Sequence, residues 1–312
     1  MYNVSVYSDD DKTEWDAFVS KSRQGTFLFQ RPYMDYHRDR FKDCSLMLRQ
    51  EDKLRAMLPA NISGSTLYSH QGLTYGGLLT DSRVKAVQTA DMFKSINAFL
   101  RREGITHVVY KAIPWIYHRI PAEEDLYALT NICGARLTVR ELSTTIIPGR
   151  SPRMEESRRS GLRKAERAGI TVGEDNDLHA FYTILDNNLE NKYHTRPVHS
   201  EAELRLLMSR FPENIRLYMA RRNGQPLGGT IIYDTGQVVH TQYISATPEG
   251  KAEGALDMLL SWLFTKIYAG RPYIDFGKST EQAGRVLNTA LIFQKEGFGG
   301  RGVCYDTYEW EP

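Results

Sequence analysis

Residues 4–7 alternate apolar and polar positions like a half-buried strand, and Trp15, Phe18 and Val19 recur behind Thr13 at helical spacing. Pro32 suits a first helical turn, and Tyr33, Tyr36, His37 and Phe41 then fall largely on one face of a second short helix. Residues 45–49 and 54–60 flank the polar Gln50-Glu51-Asp52-Lys53 in a hairpin pattern, which 66–69 extends to three antiparallel strands. An amphipathic helix over 83–103, a strand at 107–110, a helix over 123–132 and a strand over 136–147 follow.

Pro148-Gly149-Arg150-Ser151-Pro152 then interrupts both periodicities, as a linker does. Beyond it a charged helix over 153–168 leads to a strand at 170–172 and helices over 178–192 and 201–209. Strands at 215–221, 226–233 and 238–245 are separated by the turn sequences Arg222-Asn223-Gly224-Gln225 and Asp234-Thr235-Gly236. A helix over 255–268, a strand at 273–276, a helix over 284–295 and a strand at 303–310 end the chain. Each half therefore reads β-α-α-β-β-β-α-β-α-β, a repeat of element order without repeated residues.

Lys and Arg total 40 against 38 Asp and Glu, a net charge of +2 that announces neither a nucleic-acid nor a membrane partner. With 41% hydrophobic and 25% charged residues the chain has enough apolar surface to bury cores, which excludes global disorder. Cys44, Cys133 and Cys304 lie far apart and outside metal-ligand spacings, so neither a disulfide framework nor a metal is expected. No apolar run approaches the roughly 18 residues of a membrane span, and residues 1–11 lack a secretion-signal pattern. The expectation is a cytoplasmic protein with no membrane span.

Tyr273-Ile274-Asp275-Phe276-Gly277 and Phe293-Gln294-Lys295-Glu296-Gly297-Phe298-Gly299-Gly300, with the basic helix that runs from Arg158 through Arg163 and Lys164 to Gly169, carry a family resemblance. This pattern resembles the Fem-type transferases, tandem-domain members of the GNAT superfamily of N-acyltransferases. The likeness covers both halves by element order and residues 153–310 by motif. It implies an α/β (α+β) fold of two tandem GNAT-like domains, 1–149 and 150–312, each a mixed, mostly antiparallel sheet flanked by helices. It also implies an acyltransferase whose active site is in the second domain. The donor would be acyl-coenzyme A or aminoacyl-tRNA, and the acceptor an amine of a small molecule or peptidoglycan precursor. Ser69-His70-Gln71-Gly72-Leu73-Thr74-Tyr75-Gly76-Gly77 is similar to a glycine-rich loop of related tandem acyltransferases.

Acyl transfer needs a neutral amine, a polarised carbonyl and a leaving group that can take up a proton. In the superfamily the donor lies between the fourth and fifth strands, here 238–245 and 273–276. His240 and Gln242 are expected on one face of the fourth strand and Tyr243 on the other. His240 is a candidate base or a structural histidine, and Tyr243 a candidate acid. Asp275 orients an amine or caps the strand. Lys295, aligned with a family lysine near the reaction centre, stabilises an oxyanion or closes a helix C-terminus. Lys251, Gly254 and Ala255 are candidate cofactor-binding residues at a helix N-terminus, where unpaired N–H groups favour a pyrophosphate, although Glu253 and Leu256 depart from the family's loop. Arg163 contacts phosphates of tRNA or of a nucleotide-linked precursor, or belongs to a salt-bridged exposed face. Tyr75 and Gly76 bind substrate or make a turn. Beside the transferase stands a non-catalytic module binding a carbohydrate or nucleotide-sugar, with 18 tyrosines as contact surface.

Overall fold

The computed structural model describes residues 2–312 and divides the chain into two compact units. The first comprises Met1–Glu141, Gln282–Arg285 and Cys304–Pro312; the second comprises Leu142–Glu281 and Val286–Val303.

In the first unit the chain forms β1 (Asn3–Val6), α1 (Lys12–Lys21), α2 (Arg31–Met34), β2 (Lys42–Asp43), β3 (Leu46–Gln50) and β4 (Lys53–Leu58). It continues with β5 (Asn61–Ser63), β6 (Thr66–Tyr68), β7 (Leu79–Thr80), α3 (Ala86–Arg102), β8 (His107–Lys111), α4 (Glu124–Asn131) and β9 (Arg136–Ile146), whose last five residues belong to the second unit. The expected hairpin is β3–β4, with Leu46 opposite Leu58. The expected third strand does not extend it: β6 pairs antiparallel with β5 and parallel with β8. The three-stranded meander is thus replaced by two sheets, and the added strands β2, β5 and β7 are too short to show a periodicity. Met92, Phe93, Ile96, Phe99 and Leu100 line one face of α3 and pack on Leu46, Leu48, Leu58, Leu67 and Val108.

The second unit holds α5 (Glu156–Arg167), β10 (Thr171–Asp175), α6 (Leu178–Tyr193), α7 (Glu201–Arg210), β11 (Ile215–Arg222), β12 (Gln225–Asp234) and β13 (Val238–Ala246). Then come α8 (Pro248–Glu253), α9 (Ala255–Trp262), β14 (Tyr273–Lys278), β15 (Thr280–Glu281), β16 (Val286–Leu287), α10 (Thr289–Glu296) and β17 (Arg301–Trp310), whose last seven residues belong to the first unit. The sheet order is β10-β11-β12-β13-β14-β9, antiparallel throughout except for β13–β14. Two stretches differ from the expected pattern. The helix expected over 284–295 begins at Thr289, because the hairpin β15–β16 takes up the residues before it. The loop before α9 folds into α8, whose cap Thr247 accepts the Gly250 N–H at 3.0 Å. On one face of the sheet, Ala165 of α5 and Ala255, Leu259 and Leu260 of α9 pack on Ile232, Val239, Ile274 and Phe276. On the other lies α6, where Ser245 Oγ donates to the Ile184 carbonyl at 3.4 Å and accepts from Asn188 Nδ2 at 2.7 Å.

Candidate active site

β13 and β14 run in register through Val238↔Tyr273, Val239↔Ile274 and His240↔Asp275, and there the ladder ends. On its other side β14 stays paired with β9, but the register shifts between Asp275 and Lys278 around Gly277, which has φ of 76°, and resumes at Lys278↔Ser143. Past His240 the alternate N–H groups of β13 that point away from β12 therefore have no ladder partner on β14.

At the point of divergence, His240 Nδ1 is 2.8 Å from Asp275 Oδ2. Asp275 is fully buried, and its Oδ1 accepts hydrogen bonds from Ser143 Oγ and, at 3.0 Å, from Thr145 Oγ1. A carboxylate with three donors is held in one orientation. Its bond to Nδ1 places the imidazole proton there and leaves Nε2 as the accepting nitrogen of the neutral ring. Gly277 gives the ring its room, since a Cβ at that position would come 3.0 Å from His240 Cε1.

The expected separation of His240 and Tyr243 onto opposite faces is corrected by a β-bulge. Ile231 pairs with Tyr243 and Ile232 with Thr241, so Gln242 is the extra residue and Tyr243 returns to the face of His240. The two side chains then stand about 7 Å apart along the strand, two steps of its rise. Burial pushes the Tyr243 phenol above its ordinary value, and its oxygen lies 2.7 Å from His199 Nδ1. His199 sits between α6 and α7 with no signal in the sequence that pairs it with β13.

Lys295, on α10, donates to the carbonyls of Gly277 at 2.8 Å and Lys278 at 3.1 Å and to Ser279 Oγ at 2.6 Å. Three acceptors match its three hydrogens, so the ammonium clamps the end of β14. Burial lowers its pKa to about 8, opposed by the nearby Asp275 charge. The structure thus brings together His240, Asp275, Lys295 and Tyr243 around β13 and β14. It also adds Ser143, Thr145 and His199.

The remaining candidates lie elsewhere. Arg163 is exposed and pairs with Glu156, about two turns away on its own helix. Tyr75 is buried against Phe29 and Tyr117 in the first unit. The Gly76 N–H donates to the Lys111 carbonyl at 2.9 Å. Among the described residues no group of three or more His, Cys, Asp or Glu is placed to hold a metal, and no helix is long and apolar enough to cross a membrane. The three cysteines are free thiols.

A coenzyme A donor would need its pyrophosphate cradled after β13, and the residues there do not fit one. Pro248 has no N–H to offer, and that of Gly250 is taken by Thr247. Glu249 adds a carboxylate to the first turn, paired with Arg222. Lys251 Nζ donates to Asn188 Oδ1 at 2.7 Å. Gly254 packs on α5, where a Cβ would stand 2.2 Å from the Gly161 carbonyl oxygen, and Ala255 is fully buried. This second helix start is covered by protein.

Against known proteins, the family model for an acetyltransferase (GNAT) domain matches residues 153–283. No curated protein sequence matches the chain. Among solved structures it is similar to FemX, at 10% identity and a TM-score of 0.69, covering 99% of this chain and 97% of that one. The structure of L-PGS from Bacillus licheniformis aligns at 12% identity and a TM-score of 0.62, over 97% and 92% of the two chains. A tandem GNAT protein from the clavulanic acid biosynthesis pathway aligns at 11% and 0.52, over 100% and 98%. Residues 153–283 thus match the GNAT acetyltransferase domain family, and the chain as a whole shares the fold of FemX and of the tandem GNAT protein.

Proposed function

We propose that the second unit transfers an acyl or aminoacyl group to an amine at the mouth of the β13–β14 gap. The observation that carries this reading is the His240–Asp275 pair at 2.8 Å where the parallel ladder ends. The acceptor nitrogen attacks the donor carbonyl, forming the N–C bond, while His240 Nε2 takes the amine proton. Charge on the carbonyl oxygen falls towards the β13 N–H groups that face the gap. The bond to the leaving oxygen or sulfur then breaks, and that atom takes a proton from Tyr243. The products are an amide and an alcohol or thiol.

Closure of the turn after β13 favours an aminoacyl ester, as on a charged tRNA, over a coenzyme A thioester. The Fem-like fold supports a cell-wall precursor amine as acceptor. The same closure favours the second reading, a unit that binds a carbohydrate or nucleotide-sugar without transfer. Incubating the purified chain with charged tRNAs, a panel of acyl-coenzyme A species and peptidoglycan-precursor amines, and reading products by mass, separates these. Amide formation that disappears in His240→Ala is expected. Absence of transfer from every donor overturns the transferase reading.

A further inference from the structure

We propose that His199 is a positioning residue for Tyr243: its backbone N–H and its Nδ1–H both donate to the phenol oxygen and leave the phenol proton to the leaving group. The inference rests on the transferase reading above. It is carried by geometry that the sequence did not announce. The His199 N–H reaches the Tyr243 oxygen at 3.3 Å, and Nδ1 lies 2.7 Å from the same oxygen. The rings meet edge to face with centroids 5.9 Å apart, and His199 is 5% exposed.

The segment carrying His199 is pinned on both sides. Tyr182 of α6 donates its hydroxyl to the His199 carbonyl at 3.4 Å, and the next residue, Ser200, caps α7 by accepting the Glu203 N–H at 3.2 Å. An imidazole fixed by its own backbone can select the tautomer that suits its neighbour. With the proton on Nδ1, the phenol oxygen accepts two N–H bonds and its own O–H is turned along the face it shares with His240. When that O–H breaks and the leaving atom gains the proton, the phenolate is already held by two donors. Solvent returns the proton after product release.

The other groups around the phenol work in both directions. Burial, Tyr182 and Glu203 favour the neutral phenol, whereas the His199 backbone and the Gln242 side chain favour the phenolate. His240 is the remaining titratable group on this face of β13. A side-chain donor from His199 adds to the minority that stabilises charge.

The test joins a spectroscopic and a kinetic measurement. Long-range proton–nitrogen correlation on the 15N-histidine-labelled full chain, with His199→Asn assigning the signal, is expected to show His199 protonated at Nδ1. Protonation at Nε2 alone overturns the proposal. In kinetics, His199→Ala is expected to lower kcat by about tenfold or more with KM little changed, the pattern of an interaction made in the transition state. Its alkaline limb moves to higher pH, because the phenol has lost a donor to its charged form. His199→Asn, whose amide N–H lies near the position of Nδ1, restores most of the rate, whereas His199→Gln does not. Adding His199→Ala to Tyr243→Phe should cost nothing further. Full additivity, or equal rates in the Asn and Gln variants, overturns the proposal. A wild type that transfers from no donor removes the transferase reading and this role with it, while the tautomer still reports the hydrogen bond.

Discussion

Among the described residues each unit contains a parallel strand pair joined through helix, and each of these pairs stays in register for three residues. In the first unit these are Thr66↔His107, Leu67↔Val108 and Tyr68↔Val109; in the second the third pair is His240↔Asp275. Beyond the third pair the two differ. In the first, Ser69 N–H donates to the Val109 carbonyl at 2.9 Å, Lys111 N–H to Ser69 Oγ at 2.7 Å and Gly76 N–H to the Lys111 carbonyl at 2.9 Å. The glycine-rich segment is the filling of this seam, and Gly76 permits it, because a Cβ there would stand 1.9 Å from the Ser69 carbonyl oxygen. In the second unit β13 bulges, β14 turns off at Gly277 and Lys295 clamps the departing end, so the seam keeps a histidine and a carboxylate. One topology therefore yields a closed seam or an open one, according to whether neighbouring backbone is small enough to fill it.

The largest expected effect follows from that contrast. His240→Ala in the open seam is predicted to reduce kcat by about 10²–10⁴-fold with the circular dichroism spectrum unchanged, the usual scale of a lost general base. Ser69→Ala in the closed seam loses a hydrogen bond worth about 1 kcal/mol of stability, with turnover changed less than about twofold. If Ser69→Ala abolished turnover in a folded protein, the comparison would be reversed.

The units also answer pH from opposite ends. Burial, followed by His37, Lys111 and Arg31, pushes His70 of the first unit down to about 3, and burial pushes His118 down to about 4. Between about pH 3 and 6.5 the unfolded chain binds more protons at His70 than the folded one, so stability rises with pH there and is lost on acidification. The loss at His70 is on the order of 3–5 kcal/mol at about 1.4 kcal/mol per unit. The difference between urea midpoints at pH 4 and 7 is expected to narrow in His70→Phe, whose ring suits the stack with His37 and Phe41, while the share that His118 contributes remains. Lys295, lowered from 10.5 to about 8, makes the folded state release its proton first. Stability therefore rises between about pH 8 and 10.5, by up to about 3 kcal/mol, and Lys295→Met should flatten that arm.

A smaller and sharper test compares two glycines. Gly76→Ala forces a methyl onto a backbone oxygen and is expected to lower the urea-derived stability by about 1–3 kcal/mol while the remaining folded fraction turns over normally. Gly277→Ala places a side chain at φ of 76° and 3.0 Å from His240 Cε1. It is expected to cost about 1–2 kcal/mol in strain and also to lower kcat by displacing the imidazole. Equal kinetic effects from the two substitutions would remove the distinction between the seams.

What the sequence revealed follows the same division. Strands of eight to ten residues such as β11, β12 and β13 carry enough alternation to be read, and so the order of the second unit was legible. The two-residue and three-residue strands β2, β5 and β7 carry none, so the first unit's topology was misread. His240, Tyr243, Asp275 and Lys295 could be named from motif and strand position, but not their mutual geometry. The bulge at Gln242 adds one residue without disturbing composition, and that residue decides which face Tyr243 takes. Ser143 and Thr145 reach Asp275 from β9, some 130 positions earlier in the chain, through a sheet pairing that no local pattern encodes.

The smallest effect is expected where charge density first drew attention, on α5. Arg158 pairs with Asp257 of α9 at 2.8 Å and lies 5.9 Å from the Phe298 ring centroid, so it is part of the packing between helices. Arg163 is about half exposed and its partner Glu156 more so. An exposed pair of this kind contributes little to stability and weakens with salt. Arg163→Ala should thus leave the urea midpoint almost unmoved and, if the residue touches no substrate phosphate, leave KM for a phosphate-bearing donor or acceptor unchanged between low and high salt. A rise in KM that salt reproduces in the wild type would instead show that the open seam draws its substrate in across this helix, and would extend the functional surface of the second unit from the β13–β14 gap to α5.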